Sequence, residues 1–173
     1  MRKTMEAVCL GMLAVLSWMT YAALNGAERL PDRIPTHFDI SGQPNAWGPP
    51  GFLWFLPTVG LGLYLLMTTL GSIRFRRYNL PVPVTESNLP FIQEQTRLIV
   101  GWIKCEVLCL FVYLQWGIIQ SARSGVFRIS PLLIPLFVLV VFSTVGWQLM
   151  TMIRGAKARA ESADSVGQIR NLR

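Results

Sequence analysis

Charge and histidine are scarce in this 173-residue sequence: 14% of its residues are charged, nine are acidic, and His37 is the only histidine. A soluble domain ordinarily carries about a quarter charged residues, so the composition argues against one. The three cysteines, Cys9, Cys105 and Cys109, all fall inside apolar runs, where a free thiol behaves as a small hydrophobe. No Cys-x-x-Cys or His-x-x-x-His spacing occurs, which excludes the usual zinc patterns and indicates neither a metal nor another cofactor. Disulfide frameworks are not indicated either.

What fills the sequence instead is apolar: 52% of residues are hydrophobic, gathered into four runs. They predict helices over about 6–24, 52–73, 97–119 and 131–153. At a rise of about 1.5 Å per residue, each is long enough to cross a hydrocarbon core of roughly 30 Å. A backbone exposed to lipid must satisfy its own hydrogen bonds, so spans of this length are helical. The first run, behind Arg2 and Lys3, competes with a signal peptide, but it exceeds the roughly 7–15 apolar residues of such a segment and has no clean small-x-small cleavage site. The expected fold is therefore an all-α integral membrane bundle of four transmembrane helices within residues 1–160, with a structured outer loop over 25–51 and a flexible cytoplasmic tail over 161–173.

The formal charge of +7 could suggest nucleic acid, but the basic residues lie between the apolar runs and not in a stripe. They read as a topology signal. One side carries Arg2, Lys3, Arg74, Arg76, Arg77, Arg97, Arg154, Lys157, Arg159, Arg170 and Arg173; the other carries Arg29, Arg33, Arg123 and Arg128. The richer side is expected to be cytoplasmic, which puts both termini inside and the 25–51 loop and a short 120–130 turn outside. Most of the six tryptophans fall near predicted helix ends, as aromatic belts do. Asn88, followed by Pro90, suits an N-cap, so the third helix is expected to start ahead of its membrane span.

Two places could carry function. In the outer loop, Ile34, Thr36, Phe38 and Ile40 alternate as an extended piece, and Ser41-Gly42-Gln43-Pro44-Asn45 reads as a turn. His37 and Asp39 then share the face opposite Phe38 and Ile40, either as a binding patch or as hydrogen-bonding groups of a structural cap. In the third helix, Lys104 and Glu106 are ionisable groups in an apolar run, and such groups mark functional sites by default. Lys104 is close enough to the helix end to snorkel. Glu106 lies deeper and calls for an inward site or a cation. Cys105 and Cys109, one turn apart, read as packing residues, and Ala7, Gly11, Ala14 and Gly60 as points of close helix approach.

Leu30-Pro31-x-x-Ile34-Pro35-Thr36-His37-Phe38, then Gly42-Gln43-Pro44-Asn45 and Trp47 just after a first membrane helix, resembles the domain of unknown function 1648. That is the N-terminal membrane domain of bacterial immunity proteins against the sporulation-delaying toxin. Asn79-Leu80-Pro81, Thr85-Glu86-x-Asn88 and Lys104 extend the resemblance over roughly residues 1–120. It implies a bacterial cytoplasmic-membrane protein, in some relatives part of toxin immunity and of signalling that holds a repressor at the membrane. Those relatives continue into a second membrane domain, whereas this sequence ends after its fourth apolar run. The family has no established catalytic residues to carry over.

The expected function is thus non-enzymatic. The partners are the lipid bilayer and a peptide toxin or another membrane protein, not nucleic acid; the oligomeric state is left open. His37, Asp39, Asn45, Trp47, Lys104 and Glu106 are the candidate contacts. The alternative is a small transporter or membrane enzyme that joins Glu106 to His37 and Asp39 at one cavity. A third reading is a subunit that stabilises a larger complex.

Overall fold

The computed structural model describes residues 2–73, 79–125 and 130–171. Its elements follow in the order α1 (Arg2–Asn25), β1 (Ile34–Phe38), β2 (Pro44–Gly48), α2 (Phe55–Ser72), α3 (Leu89–Ser124) and α4 (Leu133–Asn171), with a 3-10 turn at Pro50–Trp54 leading into α2. Arg74, Arg76, Arg77, Arg128 and Arg173 of the charge pattern lie outside the described residues. Four stretches, Lys3–Asn25, Pro50–Ser72, Leu89–Ser124 and Leu133–Ala163, are long and apolar enough to cross a membrane. The fold is the expected four-helix membrane bundle with a structured loop between its first two helices.

Helix lengths depart from the apolar runs because hydropathy marks the membrane and not the helix. α3 begins at Leu89 with Pro90 in its first turn, where a missing N–H costs nothing. Asn88 occupies the N-cap position, but its side chain does not cap. Fully buried, it accepts from the Thr85 N–H at 2.9 Å and donates to the carbonyls of Pro83 (2.9 Å) and Ala156 (3.2 Å), tying the α2–α3 connection to α4. At its far end α3 runs to Ser124, through the first part of the expected 120–130 turn, and stops where Gly125 turns left-handed at φ 65°.

The tail over 161–173 was expected to be loosely ordered, yet α4 continues as helix to Asn171. Ala156, Ala158, Ala160 and Ala163 favour helix strongly, Lys157 and Glu161 pair one turn apart at 3.9 Å, and the Ser162 hydroxyl donates to the Ala158 carbonyl. Polarity removes the tail from the membrane without removing its helix propensity.

Among the described residues, three small apolar clusters hold the elements together. At the hairpin end, Ile34, Leu53, Ala23, Ile118 and Ile119 are buried against one another, which seats the loop on α1 and α3. At mid-bundle, Cys9, Leu13, Leu16 and Leu108 join α1 to α3. Gly60 lets α2 approach them, since a Cβ there would lie 3.4 Å from both Leu13 Cδ2 and Leu108 Cδ2; Gly11, by contrast, faces open space. At the opposite end, Ile92, Met152 and Ala156 pack with Leu80, Val82 and Val84 of the α2–α3 connection. Along the other half of α4, Leu136, Leu139, Phe142 and Trp147 are exposed, the surface a lipid-facing helix presents. All six tryptophans are also exposed, as an aromatic belt requires.

Candidate functional site: an outer cleft and an inner charged cluster

The outer loop forms an antiparallel hairpin that pairs Ile34 with Gly48, Pro35 with Trp47, His37 with Ala46 and Phe38 with Pro44, with irregular register around His37. Bulges of this kind re-aim side chains. Its turn is built by Asp39, whose Oδ1 accepts from the Ser41 N–H (2.9 Å), the Ser41 hydroxyl (2.6 Å) and the Gln43 N–H (2.9 Å). Gly42 takes φ 77° there, a conformation that favours glycine. The Ser41 hydroxyl first, then the Gln43 amide, hold the Asp39 carboxyl below its ordinary 3.8. His37 Nδ1 donates to Asn45 Oδ1 at 2.5 Å across the strands. Arg33 Nη2 donates to the Trp47 carbonyl at 3.0 Å. Of the two residues expected on one face, Asp39 bonds to backbone N–H groups and a hydroxyl, and His37 bonds to a side chain. Of the two residues expected on the opposite face, Phe38 packs against the hairpin-end cluster, whereas Ile40 is 97% exposed at the turn.

Below the hairpin, two fully buried polar residues link the loop to the helices. Gln115 Nε2 donates to Thr20 Oγ1 (2.7 Å) and to the Leu53 carbonyl (3.0 Å), and Thr20 donates to the Leu16 carbonyl (3.0 Å). Gln115 Oε1 has no partner among the described residues. Reading for ionisable groups alone passes over this pair; the available signal was an amide and a hydroxyl inside apolar runs.

Between the hairpin, the start of α2, α3 and the start of α4 opens a cleft of about 900 Å³. Its walls are apolar, with Phe52, Phe55, Leu114, Ile118 and Ile134, and His37, Asp39 and Asn45 stand among its lining on the hairpin side. It exists because α4 packs on α3 at the far end and leaves its first turns uncovered. Trp47 does not line it.

Lys104 does not snorkel. It is 3% exposed and turns into the bundle, where Nζ donates to Glu6 Oε1 at 2.6 Å and Thr68 Oγ1 at 3.0 Å and lies 4.6 Å from the centre of the Tyr64 ring. The Tyr64 hydroxyl donates to Glu6 Oε2 at 2.9 Å. One cluster thus joins α1, α2 and α3. In a low dielectric such a pair persists only when hydrogen bonds satisfy its remaining valences, and Tyr64 and Thr68 supply two of them. Glu6 passes in the sequence as flanking charge, and Tyr64 and Thr68 as ordinary helix residues; only the assembled helices bring the three to Lys104.

Glu106 faces elsewhere. It borders a cavity of about 500 Å³ with Met5, Val8, Met12, Trp102 and Cys109, and its Oε2 is buried without a partner among the described residues. Leu114, the nearest α3 residue of the outer cleft, is eight residues along the helix, roughly 12 Å away at helical rise, and Glu106 and the hairpin residues line separate cavities. The alternative that joins Glu106 to His37 and Asp39 at one cavity therefore lacks its geometry. Cys105 packs as expected, but with a specific neighbour, Cys9 Sγ at 2.9 Å.

No curated protein and no solved structure matches the chain. Residues 12–61, which run from α1 through the hairpin and its 3-10 turn into α2, match the family model described as a domain of unknown function, DUF1648.

Proposed function

We propose that this protein is a non-enzymatic component of the bacterial cytoplasmic membrane whose outer hairpin and cleft receive an amphipathic ligand, a membrane-active peptide above all. The observation that carries the reading is the cleft of about 900 Å³ with apolar walls and His37, Asp39 and Asn45 on its hairpin side. A volume within the usual range of ligand sites, about 300–1,000 Å³, lined by aromatic and aliphatic groups and a few polar ones, suits a ligand with one apolar and one polar face. The resemblance of the hairpin to the immunity-protein domain agrees with this ligand class. With α4 uncovered over its first turns, such a ligand can enter from the bilayer.

The test is to delete the gene and challenge cells with a panel of membrane-active peptides, restoring either the wild-type protein or Phe55→Ala/Ile134→Ala. Greater sensitivity to at least one peptide in the deletion, rescued by wild type and not by the cleft variant, is the expected result. Unchanged sensitivity across the panel would sink the reading.

A further inference from the structure

At the opposite end of the bundle, a second cavity of about 280 Å³ lies between α1, α2 and α3. Glycines help to clear it: a Cβ on Gly101 would sit 3.1 Å from Met5 Sδ, and one on Gly71 would sit 3.7 Å from Val100 Cγ1. Its polar lining is Glu6, Tyr64, Thr68, Ser72, Arg97 and Lys104. Arg97 and Lys104 are two helical turns apart on one face of α3, roughly 10 Å along its axis.

These groups offer more donors than the protein uses. An ammonium has three N–H bonds, and Lys104 gives two of them, to Glu6 and Thr68, while its side chain is 3% exposed. A guanidinium has five; Arg97 Nε donates to the Gly71 carbonyl at 3.2 Å, and Nη1 lies 3.7 Å from Glu94 Oε2, beyond good hydrogen-bond length. Among the described residues, Lys104 and Arg97 therefore bring to the cavity wall one ammonium N–H beyond its two hydrogen bonds and most of a guanidinium fork, beside the already bonded oxygens of Glu6, Tyr64 and Thr68.

A surplus of charged donors around a small cavity matches an oxyanion with several acceptor oxygens. We propose that this cavity binds a phosphate-bearing anion, with Arg97 meeting it at the outer position and Lys104 at the inner one. The two sources of that chemistry are the head group of an anionic phospholipid and free phosphate. Basic pockets between membrane helices on the cytoplasmic side bind anionic head groups, and this end is the cytoplasmic one under the charge pattern of the sequence.

The experiment uses the full chain, delipidated in mild detergent, with phosphatidylglycerol, phosphatidylcholine and inorganic phosphate as probes. Binding is read by native mass spectrometry and by protection against thermal unfolding. Phosphatidylglycerol is expected to bind at least tenfold tighter than phosphatidylcholine, and Arg97→Gln to lose that margin. The triple variant Arg154→Gln/Lys157→Gln/Arg159→Gln, at the basic stretch of α4, retains it. If inorganic phosphate alone binds in an Arg97-dependent way, the site belongs to a soluble anion and the proposal holds in that form. Gly71→Leu fills the cavity and keeps both cations, so it must reproduce the loss even if Arg97→Gln fails to fold. Equal affinity for the two lipids with no phosphate binding, or losses that match the α4 triple variant, overturns the proposal.

Discussion

Single side chains set the chemistry at both ends of this bundle. Lys104 and Glu6 form an ion pair that is 3% exposed on one side and 32% on the other. Breaking a buried pair costs about 3–5 kcal/mol, and the partial exposure of Glu6 places Lys104→Met at the low end, about 3 kcal/mol. Glu6→Gln/Lys104→Met should cost less than the sum of its single variants, with a coupling of roughly 1–3 kcal/mol in detergent unfolding titrations; additive losses would show that the pair does not form. Asp39 answers to pH. Its folded carboxyl sits below its ordinary 3.8, held there by Ser41 and Gln43, so the turn gains stability above 3.8 and loses it as pH falls through the lower folded value. Trp47 fluorescence on the adjacent strand should change in that acid window, and Asp39→Asn should abolish the change. Glu6 illustrates why such residues escape a sequence reading: nothing at position 6 records that position 104 will be its neighbour, because the pairing depends on how α1 and α3 cross.

Elements are joined by a few specific contacts, and each can be broken or captured. Asn88 is the knot between the α2–α3 connection and α4, so Asn88→Ala strands the Thr85 N–H and the Pro83 carbonyl and cuts the link to Ala156. A buried unsatisfied group costs about 1–3 kcal/mol; the variant should be destabilised by that order and should admit protease near Met152 and Ala156 sooner than wild type. Cys9 and Cys105, with sulfurs 2.9 Å apart on α1 and α3, provide a direct gauge of that helix pair. Copper-phenanthroline oxidation should convert them to one intramolecular disulfide and leave Cys109 open to alkylation, while Cys105→Ala should block cross-linking. Three alkylatable thiols after oxidation would mean that α1 and α3 pack differently. The helices were legible at this scale because twenty or so consecutive apolar residues have few other solutions in lipid. Their ends were legible in part: Asn88 and Pro90 marked the early start of α3 at Leu89, whereas α4 runs to Asn171 through polar sequence that hydropathy treats as loop.

For the whole molecule, direction across the membrane rests on the distribution of Arg and Lys. A cysteine-free chain carrying Ile40→Cys, at the fully exposed hairpin turn, should react with a membrane-impermeant maleimide in intact cells. The same chain carrying Ser162→Cys should react only after permeabilisation, and the reverse pattern would invert the topology. By itself the sequence determined four membrane helices and a turn-forming loop between the first two, since apolar run length and Pro/Gly punctuation are local properties of the chain. It also singled out the hairpin stretch that matches the domain of unknown function. Only the tertiary structure decided what those parts enclose. It put His37, Asp39 and Asn45 beside a cleft and Glu106 beside a different cavity, and it turned Lys104 inward to Glu6, Tyr64 and Thr68. The physical reason is that a cavity is bounded by residues far apart in the chain, and its shape follows from helix crossings and from where α4 leaves the bundle. No local pattern of polarity encodes either.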